Sequence, residues 1–323
     1  MKQTKKRRSS KQRKLSPLAL AVIILISVIS WYQAEYRPAH RVVPALAENV
    51  IAEVRVLDVG QGSGLLLRTQ DGGEGENGGH AVLIDGGERS ASQAVCDALD
   101  AAGISKLDLI VVTHPHTDHF GGLIAVLKKY EVDALWMPAV PEKLTPTNST
   151  FDDFLDALEA NGCELVQKVE PCARPLGERV TLRLLDAFVP DPDNLNDTSL
   201  CLRIEAGAAS FLITGDGETA VEQALLQHNA PVMADIFVAG HHGSNTSNKQ
   251  DFLNAVRPLA TVISCGRDNS YNLPNQKALT RLSAFGPVYR TDLNGTVTFS
   301  TDGNSIWIKA ENIDDAVSAR KAA

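Results

Sequence analysis

The chain has 323 residues, 44% apolar and 22% charged, enough to bury a sizeable core and at the large end for a single domain. Residues 1–14 hold eight Lys or Arg and no acid; beyond residue 34, 39 acids face the remaining 23 basic residues (31 less 8), a balance of about −16. That balance weighs against a protein that grips long phosphate backbones through Lys and Arg, and five scattered cysteines without a CxxC pair signal neither a zinc knuckle nor a disulfide framework.

The basic block is followed by Leu15 to Tyr32, eighteen residues without a charge and rich in Ile, Leu, Val and Ala. This reads as a membrane or signal helix: either a cleaved signal peptide, or an uncleaved anchor whose basic end stays in the cytoplasm. Ala45-Leu46-Ala47 lies about fifteen residues past the apolar run, farther than cleavage usually falls. The run is also long enough to span a bilayer of about 30 Å, so the anchor is favoured. Both readings export the rest of the chain. Residues 1–34 thus form the targeting segment, 35–51 a linker with Pro38 and Pro44, 52–310 one folded domain, and 311–323 a polar tail.

In the domain, short apolar runs bounded by turn residues predict strands at Val54 to Val59, Leu65 to Arg68, Ala81 to Ile84, Leu109 to Val112 and Ala134 to Met137. Gln70 to His80 is a Gly- and Glu-rich hairpin loop. Helices are predicted at Ser90 to Ala102, Gly121 to Tyr130 and Phe151 to Asn161, so strands and helices alternate as in an α/β protein. The second half predicts strands at Val180 to Asp186, Ser199 to Glu205, Ser210 to Thr214, Ile236 to Ala239 and Ala260 to Ser264, with helices at Glu218 to His228 and Gln276 to Ala284. Val288 to Arg290, Gly295 to Ser300 and Ser305 to Lys309 read as hairpins turning at Asp302-Gly303. Cys163 and Cys172 could pair outside the cell, leaving at least one thiol over.

The strand Leu109 to Val112 empties into His114-Pro115-His116-Thr117-Asp118-His119, three of the chain's eight histidines beside an aspartate, then Gly121-Gly122. Imidazoles and a carboxylate turned to one point by a strand-end loop suit a divalent ion such as zinc. Phe211-Leu212-Ile213-Thr214-Gly215-Asp216 places a second acid at another strand end. The two oxygens of Asp216 could bridge two cations, which two-metal hydrolases hold roughly 3.5–4 Å apart; the alternative role is to cap the helix at Glu218. A third apolar strand empties into Gly240-His241-His242-Gly243-Ser244. One of these imidazoles is a candidate ligand: His242 is favoured, with His241 facing substrate, although the sequence barely separates them.

Taken in order, these motifs resemble the metallo-β-lactamase-fold hydrolases, and within them the soluble domain of ComEC-type DNA-uptake competence proteins. The resemblance covers residues 52–308 and rests also on Leu57-Asp58-Val59-Gly60-Gln61-Gly62, Leu83-Ile84-Asp85-Gly86-Gly87, Ser199-Leu200 and Tyr289-Arg290-Thr291-Asp292. It implies an αββα sandwich with metals at the sheet edge, and a hydrogen-bonding rather than ligating role for Asp58 and Asp85. The chain departs from the family pattern in three places. No histidine lies between His119 and His228, where many relatives carry another ligand; Asn194, Asn196 or Asp197 could supply an oxygen there, or simply form a turn. The family's GQGD is Gly60-Gln61-Gly62-Ser63, and its Tyr-Gly-His-Pro is Tyr271-Asn272-Leu273-Pro274.

The expected activity is metal-dependent hydrolysis by two divalent ions, zinc or else manganese. His114 and His116 would hold one, Asp118 and His119 the other, with Asp216 bridging and His242 completing the second. Zinc lowers the pKa of water from about 16 toward about 7, supplying a nucleophile that Asp118 would orient. A phosphodiester is the leading substrate class, with nucleic acid disfavoured by the acidic domain. A small-molecule esterase, lactonase or phosphocholine-type esterase, or a catalytically weakened binding module, are the rivals. Competence channels carry many membrane helices and this chain offers one candidate, so a transport role would need a partner.

Overall fold

The computed structural model describes residues 49–70, 79–168, 170–189, 192–312 and 317–320, the last as backbone. The proposed membrane segment and most of the Gly-rich loop lie outside the described residues. Among the described residues, no helix is long and apolar enough to cross a membrane.

Two large sheets dominate. The first has nine strands in the spatial order Val317–Arg320, Ser305–Ala310, Val297–Thr301, Ala52–Val56, Leu65–Thr69, Ala81–Ile84, Leu109–Val111, Ala134–Pro138 and Glu164–Lys168. The second has seven: Val288–Arg290, Ala260–Ile263, Ile236–Val238, Ala209–Ile213, Leu202–Ala206, Val180–Leu184 and Cys172–Pro175. Alternate residues of both sheets point at each other, so Val54, Leu65, Leu67, Val82, Val111, Leu182, Ile204, Phe211, Val238 and Phe299 form one buried layer between them. The opposite faces are covered by helices. Ser92–Ala101, Leu123–Lys129 and Ser149–Asn161 cover the first sheet through Val95, Leu99, Leu123, Leu127 and Phe154. Thr219–Gln227, Gln250–Val256 and Gln276–Ser283 cover the second through Val221, Leu225, Phe252, Leu253 and Leu282. The result is the expected four-layer αββα sandwich.

Local chemistry sets the element ends. Asn148 accepts from the Phe151 N–H to cap Ser149–Asn161, and Gly162 ends that helix at φ 75°, a left-handed conformation that glycine adopts without a Cβ clash. Asn275 caps Gln276–Ser283 in the same way.

Several expectations change. Val288–Arg290 joins no hairpin; it pairs in parallel with Ala260–Ile263 in the second sheet, whereas Val297–Thr301 and Ser305–Ala310 do form the antiparallel pair read from the sequence. Glu164–Lys168 and Cys172–Pro175 are strands that the sequence reading passed over, because as half-exposed edge strands they lack an apolar alternation. Gln250–Val256, seven residues long, was too short to show a period. Val317–Arg320 lies within the stretch read as a polar tail. All five cysteines are unpaired, so Cys163 and Cys172 form no disulfide.

Strand polarity builds the site. Leu109–Val111 runs parallel to Ala81–Ile84 and Ala134–Pro138, and Ala209–Ile213 runs parallel to Ile236–Val238, so the loops that follow emerge together within each sheet. The Leu200 N–H donates to the Thr113 carbonyl at 2.8 Å, joining the two sheets at that edge.

Candidate metal centre

Three strand ends converge. From Leu109–Val111 come His114, His116, Asp118 and His119; from Ala209–Ile213 comes Asp216; from Ile236–Val238 come His241 and His242. Two ligand groups result. Asp118, His119, Asp216 and His242 offer atoms all within 4.8 Å of one another, as do His114, His116 and Asp216. Asp216 belongs to both groups. It does not cap the helix at Thr219, whose N-cap is Glu218.

The distances within the cluster are short. His119 Nε2 stands 3.2 Å from Asp216 Oδ1, and His242 Nε2 stands 3.2 Å from Asp118 Oδ2 and 3.4 Å from Asp216 Oδ2. His114 Nε2 lies 3.9 Å from Asp216 Oδ2 and 2.8 Å from His116 Nδ1. Yet His119 Nε2 and His242 Nε2 are buried with no aligned hydrogen-bond partner among the described residues. Buried nitrogens are seldom left so, and a cation between them and the carboxylates satisfies both.

Their other ring nitrogens are fixed from outside. His119 Nδ1 faces Asp85 Oδ2 at 2.8 Å, and Asp85 also accepts from the N–H and hydroxyl of Thr113. His242 Nδ1 faces the Ser264 carbonyl at 2.9 Å. Both contacts place the ring hydrogen on Nδ1 and leave Nε2 for a ligand, a usual arrangement around metal-binding histidine. The hydrogen-bonding role expected for Asp85 is therefore present. Asp58 is exposed and instead accepts from the Gly60 N–H, shaping the turn at Gly60 to Gly62.

Charges in the cluster hold one another. Burial and the neighbouring His119 push His114 well below the usual histidine value, and burial lowers His116 as well. Burial is the largest single influence on His119 and His242 and opposes their charge, but the carboxylates together outweigh it, Asp216 with Asp85 at His119 and Asp216 with Asp118 at His242, whose value rises to about 10. Burial would raise both carboxyls, but His242 and His119 hold Asp118 and Asp216 below the ordinary carboxylate range. Carboxylates and imidazoles that stabilise each other's charge in a buried pocket make a donor set suited to a divalent ion.

The backbone is strained where these side chains are aimed. Asp85, His241 and His242 take φ of 58°, 51° and 52°, a left-handed conformation that side chains with a Cβ rarely adopt. The His241–His242 loop is kept there by Asn248, which accepts from Gly240 N–H at 3.1 Å and donates to the carbonyls of Gly240 and Ser244 at 2.9 and 3.1 Å. Glu222 accepts from the Asn248 and Lys249 N–H groups, and Arg281 donates to the Asn248 and Ser247 carbonyls. Gly62 presses on the Asp118 carbonyl so closely that a Cβ would not fit. Sequence reasoning missed Asn248, Glu222 and Arg281. A polar residue in a loop or on a helix carries no spacing signal for such contacts.

His241 is set apart from its neighbour. Its ring is partly exposed, Nδ1 lies 3.2 Å from Thr246 Oγ1 and 3.4 Å from Glu218 Oε1, and Nε2 lies 3.8 Å from Asp216 Oδ2. It belongs to neither of the two groups that could hold an ion, whereas His242 belongs to one. In the stretch without a further histidine, Asn194 and Asp197 bond each other in a turn, while Asn196 Nδ2 donates to Glu218 and its Oδ1 is buried without a partner among the described residues.

The family model of the metallo-beta-lactamase superfamily matches residues 58–267. ComE operon protein 3 of Bacillus subtilis (strain 168) is 29% identical over 263 residues, 76% of this chain and 33% of that protein. Competence protein ComA of Neisseria gonorrhoeae is 32% identical over 284 residues, 86% of this chain and 35% of that protein. The chain thus spans about a third of the length of these curated relatives. Among solved structures, a mutant of the CmlA beta-hydroxylase shares the fold with a TM-score of 0.50 at 12% identity, over 80% of this chain and 55% of that one.

Proposed function

Because this chain belongs to the metallo-β-lactamase superfamily and is homologous to competence proteins, we propose that it is a two-metal phosphodiester hydrolase working outside the cytoplasm. The observation that carries this reading is the carboxylate of Asp216, shared by two ligand groups at one sheet edge. His114, His116 and Asp216 would hold one divalent ion, and Asp118, His119, His242 and Asp216 the other. Zinc suits these imidazole and carboxylate donors, and manganese is the second choice. Bound divalent ions supply Lewis acidity, neutralising phosphate charge and making water a competent nucleophile near neutral pH.

The chain's own groups do the rest. Asp118, with a side chain 23% exposed, would orient the attacking water and take its proton on an Oδ atom. His241, steadied at Nδ1 by Thr246 and Glu218, would contact substrate through Nε2 and pass a proton to the leaving oxygen. Asn196 Oδ1, buried and without a partner among the described residues, would offer an oxygen in the stretch where a further histidine is missing. The balance of about −16 beyond residue 34 favours a small phosphodiester over a long DNA backbone. The same acidity supports a second reading, hydrolysis of a small ester or lactone, which needs no basic groove.

The basic block and the uncharged run Leu15 to Tyr32 support an anchored or exported location; recovery of all the protein in the cytosol would contradict it. The activity is tested by assaying metal-loaded protein on bis-nitrophenyl phosphate, DNA and ester substrates. Turnover that needs zinc or manganese and disappears in His116→Ala is expected. Unchanged activity in that variant overturns the mechanism, and bound metal without turnover leaves a binding module instead.

A further inference from the structure

Beside the cluster lies a cavity of about 130 Å³ that the chemistry above leaves unused. One wall is the end of Ala134–Pro138 and the turn after it, Pro138 and Ala139. The other follows Val180–Leu184 and brings Leu185, Phe188 and Val189, so most of the lining is apolar. Both walls start at the edge that carries the ligand groups. Trp136 stands opposite Val111 in the parallel pair that leads to His114, which sets Pro138 beside the histidine loop. The other wall ends at Ser199, whose Oγ accepts from the Asp216 N–H at 3.1 Å. One serine therefore borders both the cavity and the carboxylate shared by the two ligand groups.

Size, surface and charge indicate an occupant. The volume is close to that of an apolar protein cavity of about 150 Å³ known to hold one benzene molecule, so a single six-membered ring fits. Phe188 is 55% exposed at the rim, an aromatic face that ring stacking would cover. Lys168 also lines the cavity. Asp197 lines the cavity as well, but its carboxylate is taken by the Glu218 N–H and the Asn194 amide; the Lys168 ammonium lies 4.3 Å from the centroid of the Trp136 ring, and among the described residues no carboxylate pairs with it, so its charge is available to an anion.

We propose that this cavity binds the ring of an aromatic phosphate ester, with the phosphate between Lys168 and the metal cluster. The assignment of the phosphate rests on the hydrolase reading above; the ring pocket itself rests on the cavity. It would make the protein selective for phosphodiesters that carry an aryl group over those that carry only a small alkyl group.

Binding of phenyl phosphate and methyl phosphate to the full chain, measured by ligand-observed NMR, tests this directly. Burial of a ring predicts that phenyl phosphate binds roughly tenfold or more tightly. Ala139→Trp, at an exposed position on the cavity's wall, should bring the ratio close to one. Equal affinities in the unmodified protein, or a preference that survives Ala139→Trp, overturn the proposal. A parallel assay compares methyl and phenyl p-nitrophenyl phosphates, which share one leaving group. Ring-selective binding with no diester turnover keeps the cavity and removes the hydrolase reading; turnover of both diesters at the same KM does the reverse.

Discussion

Asp85 Oδ2 and His119 Nδ1 stand 2.8 Å apart, with both side chains fully buried. A carboxylate behind a histidine fixes its orientation and makes its free nitrogen a better ligand. Asp85→Asn would turn an amide toward Nδ1 where an acceptor is needed. We expect roughly a ten- to hundredfold loss of zinc affinity, read by competition with a chromogenic chelator, with the fold retained by circular dichroism. Unchanged affinity would show that Asp85 only packs.

Much of this candidate site was legible in the sequence because its candidate ligands sit where apolar strands end. His114, His116, Asp118 and His119 follow Val111-Val112-Thr113, Asp216 follows Phe211-Leu212-Ile213, and His242 follows Ile236-Phe237-Val238, so the strands themselves predict one shared edge. The layer order was legible only through the resemblance, since strand periodicity does not say which sheet a strand joins; Val288–Arg290 is the example. What supports the ligands was not legible. Asn248 bonds the backbone of Gly240 and Ser244, and the Ser264 carbonyl meets the His242 ring; nothing in a linear pattern records those partners.

Asn248 holds the strained loop that presents His242. It is fully buried and makes three hydrogen bonds to the backbone of Gly240 and Ser244. Asn248→Ala strands these buried groups, and a loss of about 2–4 kcal/mol is expected. Denaturant unfolding of the zinc-free protein measures it. Zinc affinity should fall as well, because the left-handed backbone at His241 and His242 would relax. A variant with full stability and full affinity would show that the loop needs no such support.

Glu222, on the helix Thr219–Gln227, carries a pH dependence. Burial pushes its carboxyl up from 4.5 to about 7, against the lowering effect of the Lys249 and Asn248 N–H groups. Because the folded value lies above the unfolded one, the stability it contributes is complete below about pH 4.5 and is lost as pH rises through about 7. Relative to Glu222→Gln, the unmodified protein should lose roughly 2 kcal/mol between pH 5 and pH 7.5. Parallel unfolding curves of the two zinc-loaded proteins across this range check the slope; curves that stay a constant distance apart would contradict it.

One carboxylate, Asp216, belongs to both groups that could hold an ion, and the proposal makes it the bridge between two metal sites. Zinc content of the purified full chain, measured by elemental analysis after equilibration with excess metal and desalting, tests it most directly. Two zinc ions per chain are expected, one in His116→Ala, and in Asp216→Ala a loss of tight binding at both sites. A chain that holds no zinc or manganese, or an Asp216→Ala variant that still holds two ions, would contradict it.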